Sequence, residues 1–191
     1  VASTKNMVDT VNDLTMLSAG ISYEGRKKIR FNIFSTIQNT IDLFKLKDPS
    51  NIDFILNKNG INHFEVTGDP IILKQIFLDL FNIINSQSKE TKTKVTISLS
   101  KERETEKESI LNFRIQTDKN IVLIDYESNI GKHTAKLVTG AGGHYSKESG
   151  ADYSVLAFTL PFLNIAQGEK KQILYPEFKA FRTLEKPGKE L

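Results

Sequence analysis

The chain has no cysteine, which excludes disulfides, thiolate metal sites and cysteine nucleophiles. It has no apolar run approaching the ~20 residues that span a bilayer, and no signal-peptide pattern at its start. It also lacks a dominant charge. The 26 basic and 23 acidic residues leave a formal net charge of +3, too balanced to imply nucleic acid by itself. The densest basic clusters, Arg26-Lys27-Lys28-Ile29-Arg30 and residues 89–94, have no interleaved aromatics and read as solvated surface. A Gly-x-Ser-x-Gly elbow, a His-Glu-x-x-His pair and a Walker-type glycine loop are all missing. The expectation is a cytoplasmic domain, with any membrane anchor of the full-length protein lying upstream.

What is present is an ordinary globular composition, 39% apolar and 26% charged over 191 residues. That suits one domain of about 150 residues with extensions at both ends. The chain opens on Val1-Ala2-Ser3 without a methionine, so it is expected to be a piece of a longer protein.

Residues 4–21 read as one helix with a narrow seam of Met7, Val11, Leu14 and Ile21, interrupted by Ser18. Such a seam suits a helical hairpin or dimer bundle better than a globular core. After a linker with Gly20 and Gly25, a second helix follows Phe31-Asn32 and carries Ile33, Phe34, Ile37, Ile41 and Phe44 on one face. Residues 52–56 form a candidate strand before a turn at Lys58-Asn59-Gly60. A third helix starts at Asp69, a good N-cap, with Pro70 at the first helical position. Its stripe runs Ile72, Ile76, Leu80, Ile84, flanked by Leu73, Phe77 and Phe81.

Val95, Ile97, Leu99 and then Leu111, Phe113, Ile115 alternate as two strands of an antiparallel hairpin, with the charged residues 101–108 as its turn. Glu102, Glu104, Glu106 and Glu108 there read as a solvated edge. Residues 121–124 are a continuous apolar run, residues 132–139 a short helix ending at Gly140, and residues 153–160 a last strand closed by Pro161. From Gln167 the chain is polar, a linker or docked tail. The pattern predicts an α+β fold, a two-layer α/β sandwich, preceded by a dimerisation-type helix. The expected boundaries are 1–24 for that helix, 25–166 for the sandwich and 167–191 for the tail.

Six fragments in order carry a resemblance to one family. Gly68-Asp69-Pro70 followed by Leu73-Lys74-Gln75-Ile76 is similar to the helix that opens the nucleotide pocket of bacterial sensor histidine kinases, the GHKL ATPase fold. Val11-Asn12-Asp13-Leu14-Thr15-Met16-Leu17-Ser18 resembles the end of the family's second dimerisation helix, and Phe31-Asn32-Ile33 its Phe-Asp-Leu. Gly142-Gly143-His144 and Ser149-Gly150-Ala151 resemble the turns around the last strands. Phe158-Thr159-Leu160-Pro161 is nearly the family's closing Phe-Thr-Leu-Pro. The resemblance implies a Bergerat-type sandwich covering residues 5–161.

At the family's functional boxes this sequence departs from the pattern. The resemblance puts the first asparagine of the magnesium helix at Asp79 and the second, the metal ligand, at Ile83. Asn82 stands about 100° round the helix from position 83. The adenine-reading aspartate falls on Thr117, with Asp118 one residue late and turned to the opposite face of the strand. The phosphate-facing glycines fall on Ser128 and Ile130, with Gly131 one place late. Ten residues separate Thr117 from Ser128, too few for the family's lid.

Two readings follow from the resemblance; a third is an unrelated α+β structural domain that echoes these motifs by coincidence. Of the first two, one is a degenerate histidine-kinase-like module, a non-catalytic binding and dimerisation domain of two-component signalling that needs no cofactor. The other is a working histidine kinase or phosphotransferase fragment that still holds ATP and magnesium. Either implies a response regulator or receiver domain as partner and a homodimer through the N-terminal helix. On the first reading the apolar residues 121–124 fold over the vacated pocket. His63, His133 and His144 are expected to be surface or hydrogen-bonded histidines, with His133 kept in reserve for a phosphate contact.

Overall fold

The computed structural model describes residues 28–47, 51–58, 64–88, 92–124 and 127–165. The predicted helix at residues 4–21 and the tail from residue 167 lie outside them. The described residues form seven strands and three helices. They are β1 (Ile29–Asn32), α1 (Ile33–Lys47), β2 (Ile52–Asn57), β3 (Glu65–Gly68), α2 (Pro70–Gln87), β4 (Thr93–Glu104), β5 (Glu108–Thr117), α3 (Asn129–Gly140), β6 (Tyr145–Ser149) and β7 (Ser154–Leu163).

The sheet runs β1-β3-β7-β5-β4-β2, with β6 also on β7. It is mixed, because β2 lies parallel to β4 while the other pairs are antiparallel. β6 and β3 share one edge of β7: β6 covers Ser154 to Phe158, and β3 meets it at Leu163.

The helices begin where local chemistry starts them. Asn32 caps α1 by accepting the Ser35 N–H at 3.0 Å, and Asp69 caps α2 by accepting the Ile71 N–H at 2.9 Å, leaving Pro70 where no donor is needed. α1 buries Ile33, Phe34, Ile37, Ile41 and Phe44. α2 buries Leu73, Ile76, Phe77, Leu80, Phe81 and Ile84, while Ile72 is only half-buried. Both pack on the sheet face built by Val95, Ile97 and Leu99 of β4, Leu111, Phe113 and Ile115 of β5, and Leu156, Phe158 and Leu160 of β7. Phenylalanines tie the layers together. Phe77 on α2 meets Phe113 and Phe158 with ring centroids 6.0 and 5.8 Å apart, and those two stack on each other at 4.9 Å. Phe81 meets Phe54 of β2 at 4.6 Å and Phe44 of α1 at 5.5 Å.

The predicted two-layer sandwich is therefore observed, with corrections at its edges. The charged stretch 101–104 continues β4 past an irregularity between Lys101 and Arg103, so the turn is only residues 105–107. An outermost strand end needs no apolar residues. Pro161 does not end the last strand but lies inside β7, opposite Ile110. Thr159 donates its N–H towards β6, to His144 O, and position 161 points the same way into the gap between β6 and β3, where no donor is required. The short helix starts at Asn129, three residues early, because Ser128 caps it. β1, β3 and β6 were not anticipated. They are four or five residues long and largely exposed or half-buried, too short for alternation to register. Gly142 takes φ +83° just after α3, and a Cβ on Gly143 would lie 1.9 Å from Thr159 O. The double glycine thus lets α3 turn tightly into β6.

Candidate functional site

The residues singled out by sequence gather at one end of the sandwich, around the second half of α2, the start of α3 and the chain between β5 and α3. They fall into two groups, linked by Gln87, whose side-chain amide also reaches Ile83 O at 3.4 Å.

The first group joins α2 to α3. Asp79 is buried, 6% exposed, and both of its oxygens are engaged. One accepts from Gln75 on the preceding turn of α2. The other pairs with His133 Nδ1 at 2.7 Å and accepts from the Thr134 hydroxyl at 3.3 Å. Burial pushes the Asp79 carboxyl above its ordinary range, opposed by the hydrogen bond and charge of His133 and by the bonds from Gln75 and Thr134. Ile83, one turn on, is also buried, and Asn82 is exposed. Position 83 thus faces inward beside Asp79, but its side chain has no lone pair.

The second group closes the end of the sheet. Thr117 is fully buried, and its hydroxyl donates to Lys119 O at 2.8 Å. Asp118 is exposed on the outer side of the sheet, where it accepts the Lys94 N–H at 2.8 Å; the one-residue slip turns it away, as expected. The chain then folds inward. Ile121, Leu123 and Ile124 are buried in the core cluster, at 4%, 3% and 0% exposure, while Val122 stays exposed. Three side chains hold this segment by its backbone, one of them Lys147, whose Nζ donates to Ile124 O at 3.4 Å. Ser154 Oγ accepts the Ile121 N–H at 2.7 Å. Gln87, at the end of α2, accepts the Val122 N–H and donates to Val122 O, both at 3.1 Å.

At the start of α3, Ser128 Oγ accepts the Gly131 N–H at 3.0 Å. Ile130 is exposed and Gly131 buried. A helix start offers its free N–H groups to an anion; here a side chain from within the chain takes one of them. Of two surface depressions, of about 400 and 330 Å³, one lies beside Glu65 and Lys101, away from these residues, and the other on the outer sheet face beside Thr117, Asp118 and Tyr153.

Sequence reasoning missed the Asp79–His133 bond and the anchors Gln87 and Ser154. His133 gave a faint signal as the one histidine near a candidate box. Ser154 lies two residues before the buried Leu156, so its inward parity was legible. Gln87 gave none, because it follows the last apolar position of α2.

One check follows from the burial of Asp79. A carboxyl whose pKa is raised on folding stabilises the fold fully below its unfolded value and loses that contribution as pH rises through the folded one. Asp79→Asn keeps the acceptor for His133 without the buried charge. It is expected to gain on the unsubstituted protein as pH rises above about 4, the ordinary carboxylate value. Thermal melts of both proteins across that range measure it; a gap that does not widen with pH contradicts the burial argument.

No protein-family profile and no curated protein matches the sequence. Solved structures match by fold. The nucleotide-free catalytic domain of the histidine kinase ThkA superposes with a TM-score of 0.55 at 20% identity, covering 71% of this chain and 96% of that one. The Acinetobacter baumannii histidine kinase AdeS gives 0.55 at 16% identity, covering 83% and 82%. ThkA in complex with the response regulator protein TrrA gives 0.55 at 17%, covering 83% and 48%. The chain therefore has the fold of histidine-kinase catalytic domains.

Proposed function

We propose that this chain is a degenerate histidine-kinase-like module, a non-catalytic binding and dimerisation domain of two-component signalling that does not bind ATP at cellular concentrations. The observation that carries the reading is the inward fold of residues 121–124. Ile121, Leu123 and Ile124 supply core side chains where the resemblance places a lid over nucleotide. Gln87 and Ser154 hold that segment by its backbone.

The polar positions support it. Asp79 already satisfies His133, Thr134 and Gln75, and Ile83 offers a metal no ligand. Thr117 is tied to Lys119 O, and the capping bond of Ser128 takes the Gly131 N–H. A charge-assisted hydrogen bond is worth roughly 1.5–3 kcal/mol, so losing two or three weakens binding about a thousandfold. The residues present therefore fit neither the nucleotide nor its magnesium ion. On this reading the module works in the cytoplasm, needs neither group as cofactor, pairs with a second copy through residues 1–24 and docks a response regulator or receiver domain.

The runner-up is a working kinase or phosphotransferase fragment. It draws support from Asp79, which keeps an oxygen-bearing side chain at an inward position of the magnesium helix. Thermal melts with millimolar Mg-ATP separate the two, because a ligand that binds the native state raises its stability. The proposal expects no change in Tm. A rise of several degrees favours the kinase fragment.

A further inference from the structure

We propose that His133 is a modification site: a phosphoryl-accepting nucleophile that reacts through Nε2. Its Nδ1 lies 2.7 Å from Asp79 Oδ2. The carboxylate is almost enclosed, whereas the imidazole is half exposed, with side-chain exposures of 9% and 49%. A carboxylate accepts but cannot donate, so the neutral ring carries its proton on Nδ1 and leaves the lone pair on Nε2. Among the described residues His133 makes no other side-chain hydrogen bond. A bond between helices needs only Nδ1; in the neutral ring Nε2 then keeps its lone pair, on an imidazole that is half exposed. A nucleophile oriented by a fixed partner is the arrangement that covalent catalysis uses.

The surroundings suit the product. Attack on phosphorus turns the ring into an N-phosphorylated imidazolium, whose new positive charge sits against Asp79. The Gln75 and Thr134 bonds hold that carboxylate in place. Lys136 stands one turn after His133 on the same face of α3 and Lys132 is adjacent; both are exposed and favour a dianionic phosphoryl group. His144 has no such setting: among the described residues its hydrogen bonds run from its backbone N–H and carbonyl to Thr159.

The donor is an activated phosphoryl compound, either a small phosphoramidate or the aspartyl phosphate of a receiver domain. Nε2 forms the new P–N bond as the donor bond breaks. With zwitterionic phosphoramidate the leaving group is ammonia, and with aspartyl phosphate it is the carboxylate. No proton leaves the histidine in either case. The receiver as donor rests on the two-component reading above; the chemistry of His133 does not.

The test incubates the intact chain with potassium phosphoramidate, followed by phosphorus NMR and peptide mapping. The expected result is one acid-labile phosphoryl group on His133, lost in His133→Gln. In Asp79→Asn it forms at least about tenfold more slowly, while thermal melts show a folded domain. Absence of label on His133, equal labelling of His144, or an unchanged rate in Asp79→Asn overturns the proposal. A second arm mixes the chain with a receiver domain phosphorylated beforehand. Transfer to His133 supports both readings. Labelling by phosphoramidate without transfer from receivers upholds the nucleophile and counts against the two-component assignment.

Discussion

Replacing Phe77 with alanine is expected to destabilise the domain by about 3–5 kcal/mol, the largest effect anticipated for a single substitution here. Phe77 is fully buried and is the α2 residue that touches Phe81, Phe113 and Phe158. Removing it takes away the aromatic contact of α2 with two central strands and leaves a cavity that close-packed neighbours fill only in part. Since small domains are stable by about 5–15 kcal/mol, the loss is a large share of the total. Urea unfolding followed by circular dichroism measures it. A cost below about 1 kcal/mol would mean that the helical layer is not held by this aromatic contact.

Replacing Ile124 with alanine is expected to cost about 2–5 kcal/mol. Its interest lies in where the residue sits. In an open lid loop over a nucleotide, truncating one side chain stays within about 0.5 kcal/mol. Here Ile124 is fully buried in the same cluster as Ile76, Leu80 and Leu156. Its segment is therefore part of the core, and its loss should register in global unfolding. Urea titration beside Val122→Ala makes the contrast, because the exposed Val122 is expected to be nearly neutral.

Much of the fold was legible because its signals are local and strong. The Asp69-Pro70 start of α2, the alternation in β4 and β5 and the apolar faces of α1 and α2 each follow from residue order alone. The short strands β1, β3 and β6 were not, because four or five mixed residues carry no period; only their partners define them. Pro161 misled for a related reason, since its place inside β7 depends on a gap in the neighbouring edge. At the site, the outward turn of Asp118 and the inward turn of Ile83 followed from strand and helix periods. The bonds that join distant segments did not. Asp79 and His133 are 54 residues apart, and Gln87 and Val122 are 35 apart. No local pattern announces such pairings.

The central claim is that this sandwich keeps the histidine-kinase fold while its nucleotide pocket is filled from within. Isothermal titration calorimetry with Mg-ATP and with ADP tests it most directly. The account predicts no saturable heat up to millimolar nucleotide. A dissociation constant tighter than about 100 μM, equivalent to more than about 5 kcal/mol of binding energy, would contradict it and restore the reading of a working kinase.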